Sequence, residues 1–193
     1  MSKPRPSPDT ASRQPAPTMG LSLIKSNGFA DYRLIDSGNG RKLERFGKII
    51  VDRPEPQALW RPLADEKQWA GAHAVFSASD DEESGRWRTN KPVPESWPVR
   101  LEDAVTLSCR LSAFRHLGIF PEQLPHWLWM ADAIAAARGR IGDERPRVLN
   151  LFAYTGAASL LAARAGAEVV HVDASKKAVA WAQAEMERLA AAQ

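Results

Sequence analysis

The pattern of hydrophobic and polar positions is most regular near the C-terminal end of the chain. The apolar run at residues 148–151 predicts a strand of the kind that is buried on both faces. A turn at residues 154–156 follows, and a helix of small residues is predicted over residues 157–165, ending before Gly166. A second strand is predicted at residues 168–172. The order is therefore strand, tight turn, helix and strand.

This order predicts the first half of a nucleotide-binding βαβ unit. The turn and the start of the helix would direct backbone N–H groups at a ligand. Asp173 follows the second strand, where a carboxylate can accept the hydroxyls of a ribose. Gly156 is the single glycine of a turn that also holds the bulky Phe152 and Tyr154, whereas a pyrophosphate needs several glycines. The pattern therefore favours S-adenosyl-L-methionine over a dinucleotide.

Two motifs add a family resemblance. The first is Asn150-Leu151-Phe152-Ala153-Tyr154-Thr155-Gly156 together with His171-Val172-Asp173-Ala174-Ser175, and the second is His116-Leu117-Gly118-Ile119-Phe120-Pro121-Glu122-Gln123. Both resemble class I S-adenosylmethionine-dependent methyltransferases, most of all the branch of the bacterial 23S ribosomal RNA cytosine-C5 methyltransferases. The likeness covers roughly residues 100–182. It implies methyl transfer to RNA.

The candidate cofactor-binding residues come from these motifs. They are Asp173, Gly156, Thr155, Tyr154, Phe152 and Asn150, to which the resemblance adds Gln123 and Phe120. Phe152 and Tyr154 fit a pocket wall or core packing equally well, and Asn150 fits contact with the cofactor or orientation of the turn. Catalytic residues stay unidentified.

Neither a nucleophile nor a metal site is indicated. Cytosine-C5 chemistry needs a thiolate, but Cys109 lies upstream of the cofactor motif, whereas the family's nucleophile lies downstream, so a structural role is favoured. The four histidines have no metal-ligand spacing with Cys109 or with each other.

The chain divides into three predicted parts, and the predicted fold class is α/β. Residues 1–28 form a disordered Pro/Ser-rich tail, because they hold too few apolar residues to offset ordering. Residues 29–118 form a small β-rich module, in which the turn signal at residues 36–40 predicts a hairpin. Residues 119–193 form the first part of a Rossmann-like methyltransferase domain.

Two further helices are predicted in the last part. One runs from Phe120 to about Arg138 with Gly139 as its C-cap, and its core face is made of Leu128, Ala131, Ile134 and Ala135. The other runs from Lys176 to about Ala191 and is capped by Ser175.

Charge and aromatic content bear on partners. The formal net charge is +3, and residues 1–60 hold ten Lys/Arg against six Asp/Glu. This surplus suits an RNA partner, although an ordinary solvated surface explains it equally well. Six of the seven tryptophans fall between Trp60 and Trp129, where they fit the core of the β-rich module or stacking on unpaired bases. Trp87 lies between Arg86 and Arg88 and is the best candidate for stacking.

The remaining features concern location and completeness. The lack of a secretory signal or long apolar run, with a single cysteine, predicts a cytoplasmic protein that needs no membrane. The sequence accounts for two strands and has no counterpart of the family's Asp-Pro-Pro motif, so we expect only the N-terminal part of the domain. Its sheet edge would be exposed and open to self-association. The alternatives are a non-catalytic RNA-binding or regulatory fragment and a nucleotide-dependent oxidoreductase.

Overall fold

The computed structural model describes residues 23–26, 29–79, 84–102, 105–141 and 144–190. Most of the predicted tail therefore lies outside the described residues. The first half of the chain holds β1 (Tyr32–Gly38), β2 (Arg41–Phe46), β3 (Ile49–Pro54), α1 (Glu66–Ala70), β4 (Ala74–Ala78), β5 (Gly85–Thr89), β6 (Trp97–Glu102) and β7 (Val105–Cys109). The second half holds a 3₁₀ turn (Pro121–Gln123), α2 (Leu124–Ile141), β8 (Arg147–Leu151), α3 (Ala157–Arg164), β9 (Glu168–Val172) and α4 (Lys176–Ala190).

Strands β1 to β5 form one sheet in sequence order. All neighbours in it are antiparallel except β3 and β4, which are parallel. The predicted hairpin is β1–β2, and its two linking residues, Asn39 and Gly40, have φ of 52° and 71°. Two consecutive positive φ values match the right-handed twist of paired strands, which is why Asn-Gly is favoured there. Strands β6 and β7 form a separate antiparallel hairpin.

One core joins the β-rich part to the later helices. Phe46, Val99 and Leu107 are at most 2% exposed, and they belong to the same buried cluster as Trp127 of α2 and Leu161 of α3. The strands of the β-rich part therefore pack against the elements that carry the cofactor motif. This packing fixes the position of one region relative to the other.

A buried ion pair stabilises the β-rich sheet. The Arg53 guanidinium donates to the Glu44 carboxylate at 2.5 and 3.0 Å, and the two side chains are 4% and 1% exposed. Tyr32 donates its hydroxyl to the same carboxylate at 2.9 Å. Burial, followed by the charge of Glu44, raises the pKa of Tyr32, so its hydroxyl keeps its proton. All three polar groups are thus satisfied inside the fold.

The β8–β9 pair is parallel and covered on one face. Val148 and Val169 pack with Ala162 of α3. On the opposite face the apolar side chains are exposed: Leu149 by 62%, Leu151 by 53%, Val170 by 57% and Val172 by 43%. The sequence predicted a strand buried on both faces, and this is wrong for the described residues, because helices cover a single face. Among those residues β8 pairs with β9 alone.

Two predictions about α2, its end and its core face, need correction. Helix α2 continues through Gly139 to Ile141, because Gly139 lies in open space and keeps the helical conformation. Its buried residues are Leu124, Trp127 and Ile134, whereas Leu128 is 42% exposed. Ala135 is also exposed, so the core face is rotated from the predicted one. None of the helices in the described ranges is long and apolar enough to cross a membrane.

Candidate functional site

The turn after β8 has an unusual backbone. Phe152 and Tyr154 have φ of 56° and 52°, and Gly156 has φ of 97°. Positive φ is costly for a bulky residue and is concentrated at functional sites. Phe152 is also 91% exposed. The turn thus holds an apolar ring in solvent and in a strained conformation.

Asp173 holds this turn in place. One carboxylate oxygen accepts the backbone N–H of Tyr154 at 2.8 Å, and the other accepts that of Ser175 at 2.8 Å. Asp173 therefore lies beside the turn, at the carboxyl end of β9, as the sequence predicted for a strand-end carboxylate. Ser175 caps α4 by accepting the N–H of Ala178 at 3.3 Å.

Gly156 and Thr155 fix the start of α3. Gly156 precedes the first residue of this helix, and a Cβ built on it would lie 3.2 Å from the Ala182 Cβ. A side chain at position 156 would thus strain the backbone and crowd α4. Thr155 is 2% exposed, and its hydroxyl donates to the Gly118 carbonyl. The turn is in this way bound to the segment that precedes α2.

A cavity of about 470 Å³ lies between this segment and the turn. It is lined by Gly118, Ile119, Phe120, Glu122, Gln123, Trp127, Asn150, Leu151, Phe152, Ala153, Tyr154, Thr155, Ala157 and Ala158. The structure thus brings together six of the candidate residues, namely Asn150, Phe152, Tyr154, Thr155, Phe120 and Gln123. Asp173 and Gly156 support the turn without lining the cavity.

Aromatic rings form much of the wall. The rings of Phe120 and Tyr154 lie 5.0 Å apart, and the ring of His116, which does not line this cavity, lies 4.9 Å from that of Phe120. Burial is the main cause of the raised pKa of Tyr154, so its hydroxyl stays protonated. The aromatic part of the wall is therefore flat and uncharged.

Asn150 has its amide partner within the fold. Its side-chain N–H donates to the Ser159 hydroxyl at 2.9 Å, and this oxygen lies 2.9 Å from Nδ1 of His171. Both partners are on elements that flank the turn, so the amide orients β8 against α3. Asn150 lines the cavity at the same time.

Several lining residues were missed by sequence reasoning. Glu122 stands within the quoted segment but was not singled out, and Trp127 follows Gln123 by one helical turn, which places both on the same side. Ala157 and Ala158 open α3, and in the described part of the chain their N–H groups have no recorded hydrogen-bond partner. Alanine carries no chemical signal, so only the fold could identify them.

The structure also shows the surroundings of Cys109 and of the candidate metal ligands. Cys109 is 0% exposed, and burial raises its pKa to about 12, so the thiol is neither accessible nor ionised. This agrees with the structural role expected for it. Across the described ranges no group of three or more His, Cys, Asp or Glu is placed to hold a metal.

Solved structures with a similar fold are methyltransferases. The S-adenosylmethionine-dependent methyltransferase from Agrobacterium tumefaciens is 47% identical over 88% of this chain, with a TM-score of 0.79. A Streptococcus mutans protein assigned to the same class is 20% identical over 81% of the chain, with a TM-score of 0.59. A methyltransferase complexed with S-adenosylhomocysteine is 19% identical over 81%, also with a TM-score of 0.59. The last two likenesses concern the fold alone.

The match is partial in length. The chain spans 52% of the Agrobacterium protein and 42% of each of the other two. No protein-family model matches the chain, and no curated protein does. The predicted α/β fold with a β-rich N-terminal part is confirmed. The Agrobacterium protein is an S-adenosylmethionine-dependent methyltransferase, which agrees with the predicted class and cofactor.

Proposed function

We propose that this chain binds S-adenosyl-L-methionine in the cavity between residues 118–127 and 150–158 and that it belongs to a methyltransferase acting on RNA. The observation that carries the proposal is that the Asn150–Gly156 motif and the Gly118–Gln123 segment, which are far apart in sequence, form the two walls of one cavity.

The size and lining of the cavity suit this cofactor. A volume of about 470 Å³ is within the range of small-molecule sites, which bury most of their ligand against apolar walls. Phe120, Tyr154 and Trp127 supply flat apolar surface for an adenine. The same aromatic faces attract a cationic group such as a sulfonium.

The polar groups match the two ends of the ligand. The N–H groups of Ala157 and Ala158, which have no hydrogen-bond partner among the described residues, lie at the positive end of α3, which favours the ligand's carboxylate. The Glu122 carboxylate favours its ammonium group. Asp173 does not line the cavity itself, but it contacts Tyr154, which does. Each of its oxygens uses one lone pair for a backbone N–H and keeps a second one that can accept a ribose hydroxyl at the edge of the cavity.

The bound cofactor would supply an electrophilic methyl group, and the chain's own part is to hold and orient it. Fixing two reactants in a productive geometry is worth several kcal/mol of the barrier, in general about 7–11. Rigid walls suit this task, because Thr155 and Asp173 restrain the turn on both sides.

RNA is proposed as the methyl acceptor because of exposed basic residues. Arg86 and Arg88 are exposed on β5, which is an edge strand of the five-stranded sheet. Trp87 between them is half-buried and donates its indole N–H to Phe114 at 3.2 Å, so it is less available for stacking than expected. The buried Cys109 does not support cytosine-C5 chemistry by this chain, since that reaction needs an accessible thiolate.

Calorimetric titration of the 193-residue chain with S-adenosylhomocysteine tests the cofactor site. We expect saturable binding to the wild type and at least roughly tenfold weaker binding to Asp173→Ala, because both turn support and ribose contacts are lost. Glu168→Ala is the matched control, since Glu168 is exposed at the other end of β9, and it should bind normally.

Three further measurements test the alternatives to this interpretation. Ala158→Phe fills the cavity without touching Asp173 and should also abolish binding if Asp173→Ala proves unstable. NADH tests the oxidoreductase alternative and should not bind. The proposal is contradicted if folded wild-type protein does not bind S-adenosylhomocysteine, or if it binds NADH instead. Methyl transfer from labelled cofactor to RNA would then separate an enzyme from a non-catalytic RNA-binding fragment.

A further inference from the structure

A second, smaller cavity adjoins the first. It has a volume of about 150 Å³ and shares Phe120 and Glu122 with the larger one. Its other walls come mainly from the β-rich part, and the charged or aromatic residues that matter here are Lys42, Arg53, Glu55, Arg115 and His116. We call it the basic cavity. A group bound in it would lie next to whatever occupies the larger cavity.

Two of its three cations already have carboxylate partners. Arg53 is paired with Glu44 behind the wall at 2.5 Å, and Lys42 lies 2.9 Å from Glu55. Arg115 differs, because within the described ranges no hydrogen bond or salt bridge holds its guanidinium, although its charge, after that of Lys42, helps to lower the pKa of Glu55. It is nevertheless half-buried. A guanidinium that is partly removed from water favours an anion beside it.

His116 adds an unsatisfied polar atom to the same cavity. Its Nδ1 is buried and has no hydrogen-bond partner among the described residues. Burial, followed by the positive charges of Arg53, Arg115 and Lys42, lowers the pKa of His116 to about 4. The ring is therefore neutral near pH 7, and Nδ1 can carry a proton to donate. Buried polar atoms normally have a partner, so this one suggests a ligand.

We propose that the basic cavity binds a phosphate group of the methyl acceptor, with Arg115 and His116 Nδ1 as its donors. This rests on the proposed function, since it assigns a place to the acceptor beside the cofactor cavity. One unpaired guanidinium and one neutral N–H donor suit a single anionic group. The other lining carboxylates do not oppose it strongly, because Glu55 is neutralised by Lys42 and Glu122 is exposed.

A nucleic acid is the acceptor that this chemistry fits. Every nucleotide carries one phosphate, and contacts to it position the strand without selecting its sequence. Phe120 and Glu122 line both cavities, so the phosphate position adjoins the cofactor cavity. A strand held at its phosphate could thus present a neighbouring base to the cofactor.

The test is the binding of a short single-stranded RNA to the full chain at several salt concentrations. Arg115→Gln should weaken binding roughly tenfold and reduce the slope of log K against log salt by about 0.7, the loss of one single-strand phosphate contact. Arg33→Gln removes an equally charged, exposed side chain from β1 and should leave the RNA affinity and the salt slope nearly unchanged. His116→Phe keeps the ring beside Phe120, removes Nδ1 and should also weaken binding.

Inorganic phosphate serves as a second probe. It should shift the backbone amide NMR signals of residues 115 and 116 saturably, and Arg115→Gln should abolish the shifts. Equal losses in Arg115→Gln and Arg33→Gln, or no loss in either, would overturn the inference. Titration with S-adenosylhomocysteine separates the two proposals. Normal cofactor binding without phosphate binding would contradict the phosphate site alone. RNA binding that depends on Arg115, without cofactor binding, would contradict the proposed function.

Discussion

The β6–β7 hairpin and the β8–β9 pair are both short two-stranded sheets rich in branched apolar residues, but they differ in burial. Leu107 of β7 is 2% exposed, whereas Leu149 of β8 is 62% exposed. The hairpin is enclosed by the five-stranded sheet and the later helices, while β8–β9 is covered by helices on one face. Strand hydrophobicity therefore does not by itself determine burial, which depends on how many layers pack against the strand.

The largest effect should come from truncating these two leucines. Leu107→Ala should lower the free energy of unfolding by about 2–5 kcal/mol, because it leaves a cavity in a closed core. Leu149→Ala should cost about 0.5 kcal/mol, because most of the side chain is already in water. Urea unfolding of both variants measures the difference. Equal losses would mean that the exposed face of β8 is covered in solution.

A smaller effect is expected from two glycines. Gly156→Ala should destabilise the protein by about 1–3 kcal/mol, since it forces a positive φ and places a Cβ 3.2 Å from Ala182. Gly139→Ala is the matched control in α2, where nothing lies within 4 Å, and it should stabilise the helix by about 0.5–1 kcal/mol. Thermal melts of the pair should move in opposite directions. Similar shifts would contradict the tight approach of α4 to the turn.

The third effect is a pH dependence of stability that arises at His116, between β7 and the 3₁₀ turn. Burial, followed by the charges of Arg53, Arg115 and Lys42, lowers the pKa of His116 from 6.5 in the unfolded chain to about 4 in the folded protein, and the charge of Glu44 opposes this shift. Between pH 6.5 and pH 4 the imidazole is protonated in the unfolded chain but not in the folded protein. The contribution of His116 to the free energy of unfolding is therefore complete above about pH 6.5 and declines towards pH 4.

Replacing the imidazole should remove this contribution. In urea unfolding at pH 7, 6 and 5, His116→Phe should lose less stability than the wild type as the pH falls. The exposed His126 serves as the control in His126→Phe. An unchanged pH profile in His116→Phe would mean that the cavity around residue 116 admits water freely.

Local patterns predicted much of the fold. The Asn39-Gly40 turn, the strand at Glu168–Val172 and the Ser175 cap all depend on neighbouring residues, so the sequence was sufficient for them. The end and the core face of α2 were wrong, because tertiary contacts of Trp127 and Ile134 decided them. A glycine in open space did not stop that helix.

The site was predictable only in part, because local motifs are visible in the sequence whereas tertiary packing is not. Motif residues such as Phe120 and Tyr154 could be named, but their meeting across a cavity depends on the packing of the β-rich part against α3. The sequence could place Asp173 after a strand, yet not show that both of its oxygens support the turn. Arg115 gave no signal, because its lack of a partner is visible only in three dimensions.

The hydrogen bond from Thr155 to the Gly118 carbonyl has a thermodynamic consequence. It joins the two walls of the larger cavity inside the core, so neither wall can open without breaking a buried contact. A ligand would then meet walls that are already ordered and would lose little affinity to ordering them. Binding to such a preorganised cavity should be limited by the ligand's own loss of freedom, and its association rate should be close to that of a rigid site.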